Sequence, residues 1–182
     1  VREMLAVLAG QLKPQDKISV VAFARTPWLL VDGMAGGNPK EFLKRILNIT
    51  PQGGTNLETG LDTAYAIARR HFKAKGNNRV IVLTDGAANL GNIDPEQLKA
   101  KVETQRKRNI ALDCFGVGWE GYNDTLLETL SRNGDGRYGF INDPVDARHG
   151  FANLLAGALQ VAAANVKTQI EFNKDRVIAY RQ

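Results

Sequence analysis

An α/β fold with a mostly parallel sheet flanked by helices is what this sequence predicts, and two observations predict it. Short runs rich in β-branched residues alternate with helix-length segments along most of the chain, which is the pattern of βαβ units. The run Arg79-Val80-Ile81-Val82-Leu83-Thr84-Asp85-Gly86 is continuously apolar and closes on a Thr-Asp-Gly turn, so it reads as a central strand buried on both faces. Asp85 stands where that strand ends. In open α/β sheets the carboxyl ends of the strands are where ligands bind, so an acid at that position is a candidate site residue.

Composition narrows the function classes. The 182 residues are 43% hydrophobic and 24% charged, a globular balance, and no apolar run approaches the roughly 18 residues of a membrane span. The net charge of +5 sits in clusters such as Lys40, Lys44 and Arg45, or Lys99, Lys101, Arg106, Lys107 and Arg108. These alternate with apolar positions at helical spacing and lack interleaved aromatics, so they read as solvated helix faces and not as a nucleic-acid surface. Cys114 is the single cysteine, which excludes an internal disulfide; its place in the run Ile110 to Phe115 makes it a small core residue.

Each element has its own signal. Val1, Met4, Leu5, Leu8 and Leu12 share a helical face, without a capping residue before them. Ile18 to Phe23 is a strand, and Trp28 to Val31 is its antiparallel partner at a sheet edge. Asn38-Pro39-Lys40-Glu41 starts a helix to about Leu47, with Asn38 as cap and Glu41 reaching back. Thr50-Pro51-Gln52-Gly53-Gly54-Thr55-Asn56 is a loop opening a helix whose apolar side carries Leu57, Leu61, Ala64, Tyr65, Ala68 and Phe72. After the central strand, Asp94-Pro95-Glu96-Gln97 caps a helix to about Arg108. Strand Ile110 to Phe115, helix Asp124 to Leu130, strand Arg137 to Ile141 and a helix from about Pro144 to Ala163 follow. Beyond it, Val166, Thr168, Ile170 and Phe172 alternate with polar residues, a one-sided strand. The expected division is therefore a main domain over 1–163 and a β-type extension over 164–182.

Two loops stand out for chemistry. Thr55 and Asp85 both lie where a parallel sheet opens its carboxyl edge, and a hydroxyl and a carboxylate are the oxygens that a hard dication takes. Each also has a purely structural reading: Thr55 and Glu58 have the spacing of a capping box, and Asp85-Gly86 that of a turn. Gly116-Val117-Gly118-Trp119-Glu120-Gly121 matches G-x-G-x-x-G after a strand, which opens a second reading as a nucleotide-dependent enzyme. Against it, the next helix signal begins only near Asn123-Asp124, and Glu120 would face the phosphates. His71 and His149 have no Cys or second His at ligand spacing and support neither zinc nor a triad. Trp28 and Trp119 read as packing residues.

Taken together, Pro51-Gln52-Gly53-Gly54-Thr55-Asn56-Leu57, Asn78 to Gly86 and Gly116-Val117-Gly118 resemble the von Willebrand factor A (vWA) domain, in its bacterial branch, over roughly Val1 to Ala163. Asn89-Leu90-Gly91 and Gly121-Tyr122-Asn123-Asp124 are similar to a bacterial subgroup with a further C-terminal region. The resemblance implies a Rossmann-like sheet with a metal-ion-dependent adhesion site at its carboxyl edge. Thr55 matches the family Thr and Asp85 the family Asp. The family's Asp-x-Ser-x-Ser loop has no counterpart here; it is expected just before Val1, at the end of a central first strand absent from these residues. The implied cofactor is Mg²⁺ or Mn²⁺ in the complete domain and weak or no metal binding in these residues alone. The implied function is a non-enzymatic module that recognises a protein partner's carboxylate through the cation, with no nucleic acid and no membrane span. A structural domain with no working site is the remaining alternative.

Overall fold

The computed structural model describes residues 1–46, 53–86, 88–118, 123–141, 150–154 and 156–157. Helix α1 (Arg2–Gln11) leads into an antiparallel hairpin of β1 (Lys17–Phe23) and β2 (Pro27–Ala35). Helices α2 (Pro39–Ile46) and α3 (Leu57–Arg70) follow. Then come β3 (Asn78–Thr84), α4 (Pro95–Arg106), β4 (Ile110–Val117), α5 (Asp124–Asn133) and β5 (Tyr138–Ile141), with residues 150–154 and 156–157 helical.

The three later strands form a parallel sheet in the order β3-β4-β5. Its side chains alternate between faces, as the two-residue period of a strand requires. Val80 and Val82 of β3 and Ile110, Leu112 and Cys114 of β4 pack against α3, α4 and α5. Phe115 and Ile141 face a second core built from α1, α2, the hairpin and Phe151, whose ring meets Phe115 edge-on at a centroid distance of 5.0 Å. Helices thus cover both faces, the arrangement that lets a parallel strand be apolar throughout.

The helix starts follow local chemistry. Asn38 Oδ1 accepts the Glu41 N–H at 3.2 Å, while the Glu41 carboxylate pairs with Arg45 at 3.2 Å instead of reaching back. Asp94 caps α4 by accepting the Glu96 N–H at 3.0 Å, and Asn123 caps α5 by accepting that of Leu126 at 3.0 Å. Each satisfies an amide that the first helical turn leaves unpaired.

The expectation that β3 is buried on both faces holds for one face only among the described residues. Among the described residues β3 pairs only with β4, and β1 only with β2. Both strands run the same way, because the end of β1 and the end of β3 meet one loop: Asn56 N–H donates to Ala24 O at 2.8 Å, and Gly86 lies against Thr55. Between them is a groove of about 830 Å³, lined by Val20 and Ala22 of β1, Ile81 and Leu83 of β3, and Leu5 and Leu8 of α1. Ile81 and Leu83 are therefore only half-buried, although Val80 and Val82 on the opposite face are buried. No strand of the described residues occupies the groove. The expected extension over 164–182, and most of the last helix, lie outside the described residues.

Candidate functional site

The loop before α3 is shaped by what caps the helix. The expected capping box between Thr55 and Glu58 does not form. Asn56 is the cap residue, its Oδ1 accepting the Thr59 N–H at 3.1 Å. The Glu58 carboxylate is engaged elsewhere, accepting the Asn92 N–H at 2.8 Å and pairing with Lys101 Nζ at 3.3 Å. The backbone hydrogen bond from Asn92 holds the Glu58 carboxyl below its ordinary range, with Lys101 adding to the effect. Asparagine outcompetes threonine here because it stands one residue nearer the helix, where its side chain meets the free amide at the third turn position.

Relieved of capping, the Thr55 hydroxyl faces the exit of β3. A methyl placed on Gly86 would stand 3.0 Å from Thr55 Oγ1, so the two loops touch with no side chain between them. Asp85, the residue before Gly86, is exposed, and Thr55 is half-buried. Both line the same end of the groove between β1 and β3. The structure therefore brings the two sequence-predicted residues to one rim of the sheet. Behind them Thr84 is buried, its hydroxyl accepting the Gly86 N–H at 3.3 Å and so tightening the turn that presents Asp85. A small void of about 10 Å³ between Thr55, Thr84, Gly86 and Asn123 brings the loop after β4 to the same place.

The segment after Gly86 is bound to the start of α3 at several points. Thr55 N–H donates to Asn89 Oδ1 at 2.8 Å, and Thr55 O accepts from Asn89 N–H at 3.1 Å and Leu90 N–H at 3.3 Å. Gly91, with φ +75°, lies against Asn56 Oδ1 so closely that a side chain there would collide, and its left-handed backbone suits glycine. Sequence reasoning treated Asn89 only as part of a subgroup pattern. Its contact with Thr55 spans 34 residues of chain, and no local spacing encodes such a pairing.

Other sequence readings resolve differently. Gly116 lies inside β4, paired with Thr84 and Phe140. In a dinucleotide fingerprint the first glycine makes the tight turn, so this placement disfavours the nucleotide reading; Trp119, Glu120 and Gly121 are outside the described residues, as is His149. His71 ends α3, and its Nε2 meets Asp32 Oδ1 at 2.6 Å while Arg70 holds the other carboxylate oxygen at 2.6 Å. Among the described residues no group of three or more His, Cys, Asp and Glu side chains is placed to hold a metal ion, and no helix is long and apolar enough to cross a membrane.

Comparison with known proteins finds likenesses of sequence and of fold. Residues 1–87 match the model of the von Willebrand factor type A domain. The whole chain is 32% identical to the uncharacterized protein YfbK of Escherichia coli, covering 32% of that protein. The chain spans about a third of the length of two curated relatives that it matches. Among solved structures, a von Willebrand factor type A protein from Catenulispora acidiphila superposes with a TM-score of 0.75 over 87% of this chain and 37% of that one, at 20% identity. Proximal thread matrix protein 1 from the mussel byssus, in a form with a zinc-occupied MIDAS motif, superposes with a TM-score of 0.67 over 85% of this chain and 41% of that one, at 16% identity. The chain has the fold of a von Willebrand factor type A domain and, over residues 1–87, that family's sequence pattern.

Proposed function

We propose that this chain is part of a non-enzymatic protein-binding module in which Thr55 and Asp85 contribute oxygens to a divalent-cation site that recognises a partner's carboxylate. The observation that carries the reading is the shared rim: the Thr55 hydroxyl lies against Gly86, directly after Asp85, and both residues line one end of the groove. A hydroxyl and a carboxylate are hard donors and fit Mg²⁺ or Mn²⁺, ions that keep water and need few protein ligands. The zinc-occupied motif belongs to the mussel protein; it supports divalent-ion binding in general without choosing the metal.

These two donors make an incomplete set. β1 and β3 run parallel on either side of the groove, so a strand filling it in the same direction would end beside Thr55 and Asp85. The Asp-x-Ser-x-Ser loop expected before Val1 would enter there. When bound, the cation supplies positive charge that the protein leaves partly uncancelled, which is what an incoming carboxylate reads. The chain's own part is to hold Thr55 Oγ1 and the Asp85 carboxylate at the rim, Asp85 ligating directly or through a water.

Calorimetric titration of Mn²⁺ and Mg²⁺ into the full-length protein tests this. Thr55→Ala combined with Asp85→Ala should abolish uptake, and residues 1–182 alone should bind weakly or not at all. Equal affinity in the double variant and the unaltered protein would end the assignment.

A further inference from the structure

We propose that Asn89 is a positioning residue for this site: it sets the direction of the Thr55 hydroxyl by gripping the Thr55 main chain. The inference rests on the reading of Thr55 and Asp85 as cation ligands and adds the residue that fixes their relation. Thr55 precedes the cap Asn56, so no helical hydrogen bond orients it. Both of its main-chain polar groups end on one segment instead. Its N–H donates to Asn89 Oδ1 at 2.8 Å, and its carbonyl accepts from Asn89 N–H at 3.1 Å and Leu90 N–H at 3.3 Å.

With the peptide groups on both sides of its Cα held, Thr55 cannot rotate about φ or ψ without breaking one of these bonds. The Cα–Cβ direction is then fixed, which leaves Oγ1 only the few χ1 positions open to a β-branched side chain, and in the structure it stands beside Gly86. The gripping segment is itself anchored, since Asn92 N–H donates to Glu58 at 2.8 Å and Gly91 rests on Asn56. It also continues directly from the turn that carries Asp85. The segment that follows the Asp85-Gly86 turn therefore also holds the residue bearing the hydroxyl. A small dication demands near-ideal octahedral geometry, so loosening this grip would be read as lost affinity.

The test uses the full-length protein and two variants. Asn89→Ala removes the acceptor, whereas Asn89→Asp keeps an oxygen in its place. Hydrogen exchange without metal should show the Thr55 amide exchanging roughly fivefold faster in Asn89→Ala, the scale of one net hydrogen bond, and returning to the native rate in Asn89→Asp. Mn²⁺ should bind Asn89→Ala about five- to tenfold more weakly while Tm stays close to that of the unaltered protein. An unchanged Thr55 exchange rate in Asn89→Ala overturns the proposal. So does unchanged Mn²⁺ affinity in Asn89→Ala when Asp85→Ala has lost it. If Asp85→Ala and Thr55→Ala bind Mn²⁺ as the unaltered protein does, or that protein binds none, the cation reading itself fails and this proposal with it.

Discussion

Arg79 and Asp113 meet across the neighbouring strands β3 and β4 as a two-point pair, Arg79 Nε at 2.7 Å from one carboxylate oxygen and Nη2 at 2.8 Å from the other. Asp113 is fully buried, and its carboxylate also accepts the Arg137 N–H at 2.8 Å. One carboxylate thereby joins β3, β4 and the entry to β5 near the amino ends of the strands, opposite the candidate site.

Removing one partner should be severe. Arg79→Ala leaves a buried carboxylate with a single remaining donor, and breaking such a pair costs about 3–5 kcal/mol. Replacing both by apolar residues of similar volume is far milder. Urea unfolding of Arg79→Ala against Arg79→Met/Asp113→Leu checks this, and the single variant should be the less stable.

Two glycines should respond oppositely to alanine. Gly10 lies in α1 with nothing near the position of an added methyl, so Gly10→Ala should raise stability by about 0.5–1 kcal/mol through helix propensity. Gly136 lies against the main chain of Leu112 and Asp113, where a methyl would overlap backbone that cannot yield. Gly136→Ala should cost about 1–3 kcal/mol or more. Thermal unfolding midpoints read both.

The clasp between α3 and β2 should weaken in acid. The hydrogen bond from His71, joined by Arg70, holds the Asp32 carboxyl below its ordinary value of 3.8. A lowered folded value means that the contribution is complete above the unfolded value and fades as pH falls through the folded one. Asp32→Asn should therefore be less stable than the native protein at pH 6, with the two urea midpoints converging below about pH 4. Parallel curves down to pH 2 would contradict the assignment.

Cys114 should resist thiol reagents. It is fully buried in β4, and burial pushes its thiol well above the ordinary range, so little thiolate exists to react. Labelling by a disulfide reagent at pH 8 should follow the rate of global unfolding and become immediate in denaturant.

Residues 1–46 and 78–141 show how much of this was written locally. The caps Asn38, Asp94 and Asn123, the hairpin of β1 and β2, and the parallel strands β3, β4 and β5 all follow from short-range patterns, because capping and strand periodicity act over a few residues. The places of Thr55 before α3 and of Asp85 after β3 follow for the same reason.

What lay beyond the sequence was partnership at a distance. Thr55–Glu58 has the spacing of a capping box, but Asn56 takes the amide and Glu58 turns to Asn92 and Lys101. Asn89 is tied to Thr55, Asp32 to His71 and Arg79 to Asp113 across 34 or more residues. Residue type and local period decided which elements form, whereas these pairings exist only once the elements that carry them, α3 with β2 and β3 with β4 among them, are packed together. A hydrogen bond between remote residues depends on where the backbone carries them, and no short stretch of sequence holds that information.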